Sequence, residues 1–309
     1  MIQRVLVGGT ASGKKRVAAE LFRRHGLRPL SMDSMKVYRG MDVGTDKPST
    51  ALREETDYGL IDLVAHHERF SSGHWIDAAV QAVASGSAPV LFAGGTPLYL
   101  RLLLRGVFPG PRSDPAIRAR LQARWETEGE TVLRDELARV DPDLEARLFP
   151  GDAKRVLRGL EVWEQSGRPL SVWQAQDTTP PIAGRFVVCA LRHEPTSHLA
   201  RCAERAAAMF REGLLPEVAA LAALAPFAEE PARSIGYLEA LEHLDGKLSL
   251  DAAVERTVVR TRQLVRKQRM FLSTFPELRW VDVPADASLE SVLPEVEAAL
   301  ELPGAGAAS

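Results

Sequence analysis

Val5-Leu6-Val7-Gly8-Gly9-Thr10-Ala11-Ser12-Gly13-Lys14-Lys15 is an apolar, strand-like run delivered into a glycine-rich loop. Gly8, Gly13 and Lys14 meet the G-x-x-x-x-G-K spacing of a phosphate loop, in which glycines let backbone N–H groups turn inward and the lysine adds a point charge. Val17, Ala18, Ala19, Leu21 and Phe22 continue as an amphipathic helix, whose positive N-terminal end faces the same loop. Gly8, Gly9, Thr10, Ala11, Ser12, Gly13, Lys14 and Lys15 are therefore expected to bind a phosphate or diphosphate. The last of them departs from the pattern: Lys15 stands where a Ser or Thr hydroxyl ligates magnesium, adding a charge for the anion while removing a metal ligand. The structural alternative is a tight strand-to-helix turn with two solvated lysines.

Outward from this loop, strand-like and helix-like runs alternate. Residues 4–7, 28–32 and 89–93 read as strands, and residues 14–24 and 74–84 read as helices. Such alternation implies an α/β core with a parallel sheet and flanking helices. Ligands of such sheets bind beyond the carboxyl ends of the strands, where three loops arrive: residues 8–15, Asp33-Ser34-Met35-Lys36, and Gly94-Gly95-Thr96. These are expected to share one pocket.

After Pro109-Gly110-Pro111 the texture changes to charged helical patterns, with helix starts at Asp114-Pro115 and Asp141-Pro142. The stretch ends near Asp177-Thr178-Thr179-Pro180-Pro181, and residues 186–191 read as a strand returning to the sheet. The expected organisation is a split phosphate-loop-type α/β core at 1–111 and 184–285, carrying C-terminal helices. A helical insertion occupies 112–183, and a terminal helix with a loose tail occupies 286–309. Helices dominate residues 197–272, and residues 279–283 are a candidate last strand.

With 309 residues, 45% of them hydrophobic and 26% charged, the chain has enough apolar material for a sizeable core. A net charge of -2 leaves nucleic-acid binding to local charge distribution. Cys189 and Cys202 form neither a metal-ligand spacing nor a disulfide framework, which suits a reducing cytoplasm. No apolar stretch reaches spanning length, so no membrane partner is expected. Between Val254 and Thr274 six cations, Arg256, Arg260, Arg262, Arg266, Lys267 and Arg269, face one acid, Glu255, beside a stripe of Val254, Val258, Val265 and Leu272. Together with Arg118, Arg120, Arg124, Lys154, Arg155 and Arg158 these read as a polyanion surface; a solvated helix face is the alternative.

The residues also resemble the tRNA dimethylallyltransferase, or tRNA isopentenyltransferase, family. The resemblance rests on residues 8–14, Asp33-Ser34-Met35, Val37-Tyr38-Arg39-Gly40-Met41-Asp42-Val43-Gly44-Thr45 and Lys47-Pro48. It continues through Gly94-Gly95-Thr96 with Leu98-Tyr99-Leu100, Arg155-Val156-Leu157-Arg158 with Leu160-Glu161-Val162, and Gly213-Leu214 with Glu217-Val218. Ile235-Gly236-Tyr237, Thr261-Arg262-Gln263 and Lys267-Gln268 complete it. It implies a soluble, monomeric cytoplasmic enzyme with two substrates, tRNA and dimethylallyl diphosphate. Such an enzyme moves the prenyl group to N6 of an adenine next to the anticodon and releases diphosphate.

The resemblance assigns catalysis to Asp33, with Thr96 and Lys14. An exocyclic amine is a poor nucleophile, and a carboxylate that accepts its proton assists the attack. The alternative for Asp33 is a strand-terminal turn. Thr96 positions the diphosphate, the amine or Asp33, or else caps the next helix. Arg205 is a further diphosphate ligand by resemblance. Contacts to tRNA fall to Asp33, Ser34, Met35, Lys36, Thr96, Arg118, Lys154, Arg155, Val156, Leu157 and Arg158. Tyr38 and Tyr237 are either base-stacking or core residues. Magnesium is implied as cofactor, against the grain of Lys15, and no metal ligand is assigned. Lys36 and Leu238 also depart from the family pattern, which often has Gln and a basic residue there. On the residues alone, a small-molecule kinase using ATP and a tRNA-binding homologue with impaired catalysis remain open. An enzyme acting on free adenine nucleotides would have little use for the insertion.

Overall fold

The computed structural model describes residues 1–86, 88–176 and 178–303. Ser87, Asp177 at the expected insertion boundary, and the expected loose tail from residue 304 lie outside the described residues. Five strands form one parallel sheet: β1 (Ile2–Gly8), β2 (Arg28–Met32), β3 (Val90–Gly94), β4 (Arg185–His193) and β5 (Leu278–Val283), in the order β2-β3-β1-β4-β5. Central β1 pairs on both sides, with Val5 opposite Phe92 of β3 and Val188 of β4. Alternation along β1 feeds two cores. Val5 and Val7 join Trp75, Phe92 and Leu100 on one face, while Leu6 joins Val17, Leu21 and Leu293 on the other. A central strand covered on both faces explains why Val5-Leu6-Val7 is apolar without a break.

The alternating runs settle where their patterns place them, within a residue or two at the ends: α1 is Lys14–His25, and β3 begins and ends one residue later than the sequence suggests. Between β2 and β3 lie α2 (Thr50–Thr56) and α3 (Ser72–Ala84). α2 has little apolar periodicity and was not anticipated. In α3, Trp75 is fully buried, stacks on Tyr99 at 4.1 Å and donates its indole N–H to the Ser31 carbonyl of β2 at 3.1 Å. α4 (Pro97–Arg105) follows β3.

The backbone divides into two compact units, one of Met1–Leu104 with Pro181–Ser309 and one of Arg105–Pro180. The second contains α5 (Pro115–Glu128), α6 (Glu130–Val140), α7 (Pro142–Glu145), α8 (Ala153–Ser166) and α9 (Leu170–Gln174). Asp114 caps α5 by accepting from the Ala116 and Ile117 amides, and Asp141 caps α7 through the Leu144 amide. Leu121, Leu133, Leu137, Val156, Leu157 and Leu160 fill its core. Glu161 is wholly buried beside them. Its carboxylate accepts from Ser113 Oγ at 2.6 Å and the Asp114 amide at 2.7 Å, and pairs with Arg158 at 3.0 Å and Arg118 at 3.4 Å. Removing one partner of such an array strands the others in a poor dielectric. Glu161→Ala is therefore expected to destabilise the protein by about 3 kcal/mol in denaturant unfolding; unchanged unfolding would contradict this role.

In the first unit, β4 leads into α10 (Pro195–Arg211), α11 (Leu214–Leu224), α12 (Glu229–Ala232), α13 (Tyr237–Leu244) and the long α14 (Leu250–Leu272), with α15 (Leu289–Ala299) after β5. The buried seam of α14 runs through Ala253, Thr257, Val265, Gln268 and Leu272, one residue off the expected Val254 and Val258. Two of its residues are polar, so a hydrophobic stripe alone misplaces it.

Candidate active site

The Gly8–Lys15 loop leaves β1 at its carboxyl end and turns into α1. Gly13 occupies the N-cap at φ +81° and has no side chain to cap with; the Arg16 amide turns back to the Gly13 carbonyl at 3.0 Å, and the Lys14 and Lys15 amides are left to face an anion. Ala11 holds φ +57°, a strained conformation for a residue with a Cβ. Neighbours fix this shape from several elements. His198 on α10 donates Nε2–H to the Thr10 carbonyl at 2.8 Å, and His193 at the end of β4 donates to the Ser12 carbonyl at 3.1 Å. Gln268 on α14 accepts from the Thr10 amide at 3.0 Å and donates to the Gly95 carbonyl at 2.8 Å. Burial holds His193 down to about 4, with the Arg201 guanidinium pushing the same way, and burial also lowers His198. Both imidazoles therefore work as neutral donors. The Thr10 amide, spent on Gln268, is not among the groups facing an anion.

Lys14 folds back over its own loop, donating to the carbonyls of Gly8 at 2.9 Å and Gly9 at 2.6 Å and to Ser12 Oγ at 2.9 Å. Desolvation first, and the Lys36 ammonium second, hold its ammonium down to about 7; Arg205 pushes the same way, while Asp33 and Asp46 oppose them. A bound diphosphate would restore full charge. At pH 8 its binding is therefore expected to take up close to one proton, and at pH 6 almost none, with affinity falling as pH rises through 7. Calorimetry in buffers of different ionisation enthalpy checks this; identical heats at pH 8 would contradict it.

The second loop follows β2 and the third follows β3. Asp33 Oδ1 accepts from the amides of Met35 at 2.9 Å and Lys36 at 3.4 Å, so the turn considered as an alternative for Asp33 does form. It uses one oxygen, and Oδ2 has no hydrogen-bond partner among the described residues. Thr96 Oγ1 accepts from the Ser34 amide at 3.1 Å, and the Thr96 amide donates to the Met32 carbonyl at 3.2 Å, tying the two loops together. Glycine is required at this junction: a Cβ on Gly94 would lie 2.0 Å from the Met32 carbonyl oxygen, and one on Gly95 3.0 Å from that of Gly8. The three loops leave the neighbouring strands β1, β3 and β2, and Asp33 and Lys14 act on each other electrostatically.

Lys15 points to Asp46, with Nζ 2.7 Å from Oδ1, while Arg205 Nη1 stands 3.2 Å from Oδ2 and 3.3 Å from Thr10 Oγ1. Magnesium in phosphate loops takes a hydroxyl or carboxylate from the protein and the rest from phosphate and water. Here an ammonium without a lone pair fills the hydroxyl position, and both oxygens of the neighbouring carboxylate hold cations. These residues do not fit the ion in that arrangement.

Among the expected tRNA contacts, Val156 and Leu157 are corrected: both are buried in the core of the second unit, as the inward face of α8 requires. Arg118 and Arg158 are engaged by Glu161, while Lys154 and Arg155 are exposed. On α14, Arg256 and Arg260 pair with the buried Glu239, whereas Arg262, Arg266, Lys267 and Arg269 are exposed without an ion pair among the described residues. Tyr38 and Tyr237 are core residues, at 1% and 0% exposure, which excludes base stacking in this conformation. The Tyr237 hydroxyl donates to Glu217, which also accepts from the amides of Asp42 and Val43 and so fixes the loop preceding Asp46.

The chain is similar over most of its length to several known proteins. A family profile described as IPP transferase matches residues 36–274. The tRNA dimethylallyltransferase of Syntrophobacter fumaroxidans is 40% identical over 285 residues, covering 90% of this chain and 83% of the relative. That of Methylococcus capsulatus is 38% identical over 303 residues, covering 96% and 97%. The crystal structure of the full-length tRNA isopentenylpyrophosphate transferase from Bacillus halodurans superposes with a TM-score of 0.67 at 27% identity, covering 97% of each chain. A eukaryotic dimethylallyltransferase acting on tRNA shares the fold, with a TM-score of 0.78 at 22% identity, covering 98% of this chain and 80% of that one. On the profile match and these identities over most of its length, the chain belongs to the IPP transferase family, that of the tRNA dimethylallyltransferases.

Proposed function

We propose that this chain transfers the dimethylallyl group of dimethylallyl diphosphate to N6 of an adenine next to the anticodon of tRNA. The observation that carries the reading is the pairing of a cationic loop around Lys14 with the Asp33 carboxylate, whose Oδ2 is unbonded among the described residues. In the reaction the adenine N6–C1 bond forms as the C1–O bond to diphosphate breaks, and the electron pair leaves with the diphosphate oxygen. The N6 proton passes to Asp33. Charge grows on the departing oxygen beside Lys14, Arg205 and the first amides of α1; donors held this close to a developing charge lower the barrier once Lys14 exchanges its loop carbonyls, and Arg205 its Asp46 partner, for phosphate oxygens. Thr96 holds the Asp33 loop through the Ser34 amide, which makes it a positioning residue in this reading.

The acceptor adenine must leave the anticodon-loop stack to reach a recessed carboxylate, as bases undergoing chemistry generally do. Arg262, Arg266, Lys267 and Arg269 on α14 are exposed cations that would meet its phosphates; in the second unit Lys154 and Arg155 are exposed candidates, Arg155 paired with Asp152. Among the described residues no helix is long and apolar enough to cross a membrane, and a cytoplasmic location follows from where tRNA is found. Labelled dimethylallyl diphosphate offered with unmodified tRNA, with AMP, or with ATP and small-molecule acceptors tests the reading. Label in tRNA alone is expected. Label in AMP, transfer of phosphate from ATP, or tRNA binding without label would replace it with one of the other activities.

A further inference from the structure

We propose that Lys15, together with Arg205, does for the departing diphosphate what a loop-bound divalent cation would otherwise do, so that prenyl transfer by this chain needs no magnesium. The proposal rests on the transferase reading above and concerns the same site.

Three observations meet here. First, Lys15 replaces the hydroxyl at the start of α1, so its ammonium leaves the loop where a metal-ligating side chain would. Second, the ammonium is held rather than solvated. Asp46 takes Lys15 on Oδ1 at 2.7 Å and Arg205 on Oδ2 at 3.2 Å, and Arg205 also reaches Thr10 Oγ1 of the loop at 3.3 Å. Asp46 itself sits at φ +52°, in a segment anchored by Glu217 at the amides of Asp42 and Val43. Third, Lys14, Lys15, Lys36 and Arg205 act on one another across this space against only Asp33 and Asp46. Among the described residues that leaves cations in excess of carboxylates, an environment suited to a diphosphate.

A dication brought into the same space meets four cations and no free carboxylate oxygen on Asp46. A diphosphate brought there alone finds the N–H donors of Lys14, Lys15 and Arg205 in excess of the two carboxylates. Asp46 serves as the counter-ion that holds Lys15 and Arg205. When diphosphate enters, its non-bridging oxygens accept the N–H bonds that Asp46 releases. No covalent bond changes in this exchange; the leaving oxygen carries its electron pair away against Lys15 and Lys14.

The test is calorimetric binding of inorganic diphosphate and of dimethylallyl diphosphate, in excess EDTA and across a magnesium titration, alongside transfer to tRNA in both conditions. The wild-type chain is expected to bind both ligands, and to turn over, within about twofold in EDTA and in magnesium. Lys15→Thr should lose about tenfold in diphosphate affinity in EDTA, the size of one charge-assisted contact, and regain it with magnesium. Lys15→Arg keeps the charge and should remain EDTA-resistant, which separates charge loss from misfolding. Wild-type diphosphate binding that appears only with magnesium would overturn the proposal while leaving the transferase reading intact. Metal-independent diphosphate binding with no label reaching tRNA would do the reverse.

Discussion

Replacing Asp33 by Asn is expected to lower single-turnover prenyl transfer by about 10²- to 10⁴-fold, the range for loss of a positioned general base. Asn is the informative substitution because Asp33 Oδ1 closes a turn with the amides of Met35 and Lys36. An amide oxygen can keep that turn but cannot take the proton of the attacking amine. Binding of tRNA and of dimethylallyl diphosphate should change by less than about threefold, since surface-neutral substitutions at an intact turn seldom alter stability much. Asp33→Ala removes the turn as well, so a further loss of tRNA affinity in that variant measures the structural part of the residue. Equal loss of binding and transfer in Asp33→Asn would make Asp33 a structural residue, and the account of proton transfer would have to be abandoned.

Lys14→Met is expected to lower transfer by about 10²- to 10³-fold, the effect of deleting one preorganised donor at a developing anion. Unlike Asp33→Asn, it should also raise the KM for dimethylallyl diphosphate. Lys14 donates to the Gly8 and Gly9 carbonyls and to Ser12 Oγ when the site holds no anion, so its removal loosens the loop as well as lowering its charge. Affinity for tRNA should be unaffected, because the cations proposed above to meet its phosphates do not include Lys14. The two variants thus separate the halves of the site: kcat alone for the carboxylate, kcat and KM together for the ammonium. A Lys14→Met protein that retains wild-type KM and kcat would show that the loop does not hold the diphosphate.

How far the fold is legible in the residues follows from which contacts are local. The unbroken apolar run Val5-Leu6-Val7 announces a strand covered on both faces, and glycines at fixed spacing announce the loop that follows; both depend on neighbours in the chain. Capping at Asp114 and Asp141 is equally local and was readable from the following prolines. What holds the loop in shape is not local. Gln268 reaches Thr10 across 258 positions of sequence and His198 across 188, and nothing in either residue's own helix marks it for that task. Gln268 is, with Thr257, one of two polar residues in the buried α14 seam, and it becomes conspicuous only once that packing is known.

The cations show the same division. Six basic residues on α14 read as one surface, yet Arg256 and Arg260 are drawn to the buried Glu239 on α13, a partner that charge counting along one helix cannot see. Val156 and Leu157, carried into the tRNA-binding stretch with their neighbours, follow the helical period into the core instead. Lys15 was visible from the start as the wrong residue for a metal. Its pairing with Asp46, 31 positions away, is what turns a defect in a motif into a candidate charge for the diphosphate.

The central claim is that the Gly8–Lys15 loop and the Asp33 carboxylate serve one reaction centre. A crystal structure with a thio-substituted, unreactive dimethylallyl diphosphate and unmodified tRNA tests it most directly. The account predicts the diphosphate against Lys14, Lys15 and Arg205, C1 turned toward an extruded adenine, and N6 of that adenine within about 3 Å of an Asp33 oxygen, the reach required of a general base. A diphosphate seated away from residues 8–15, or an adenine amine facing some other group with neither Asp33 oxygen within hydrogen-bond reach, would contradict it.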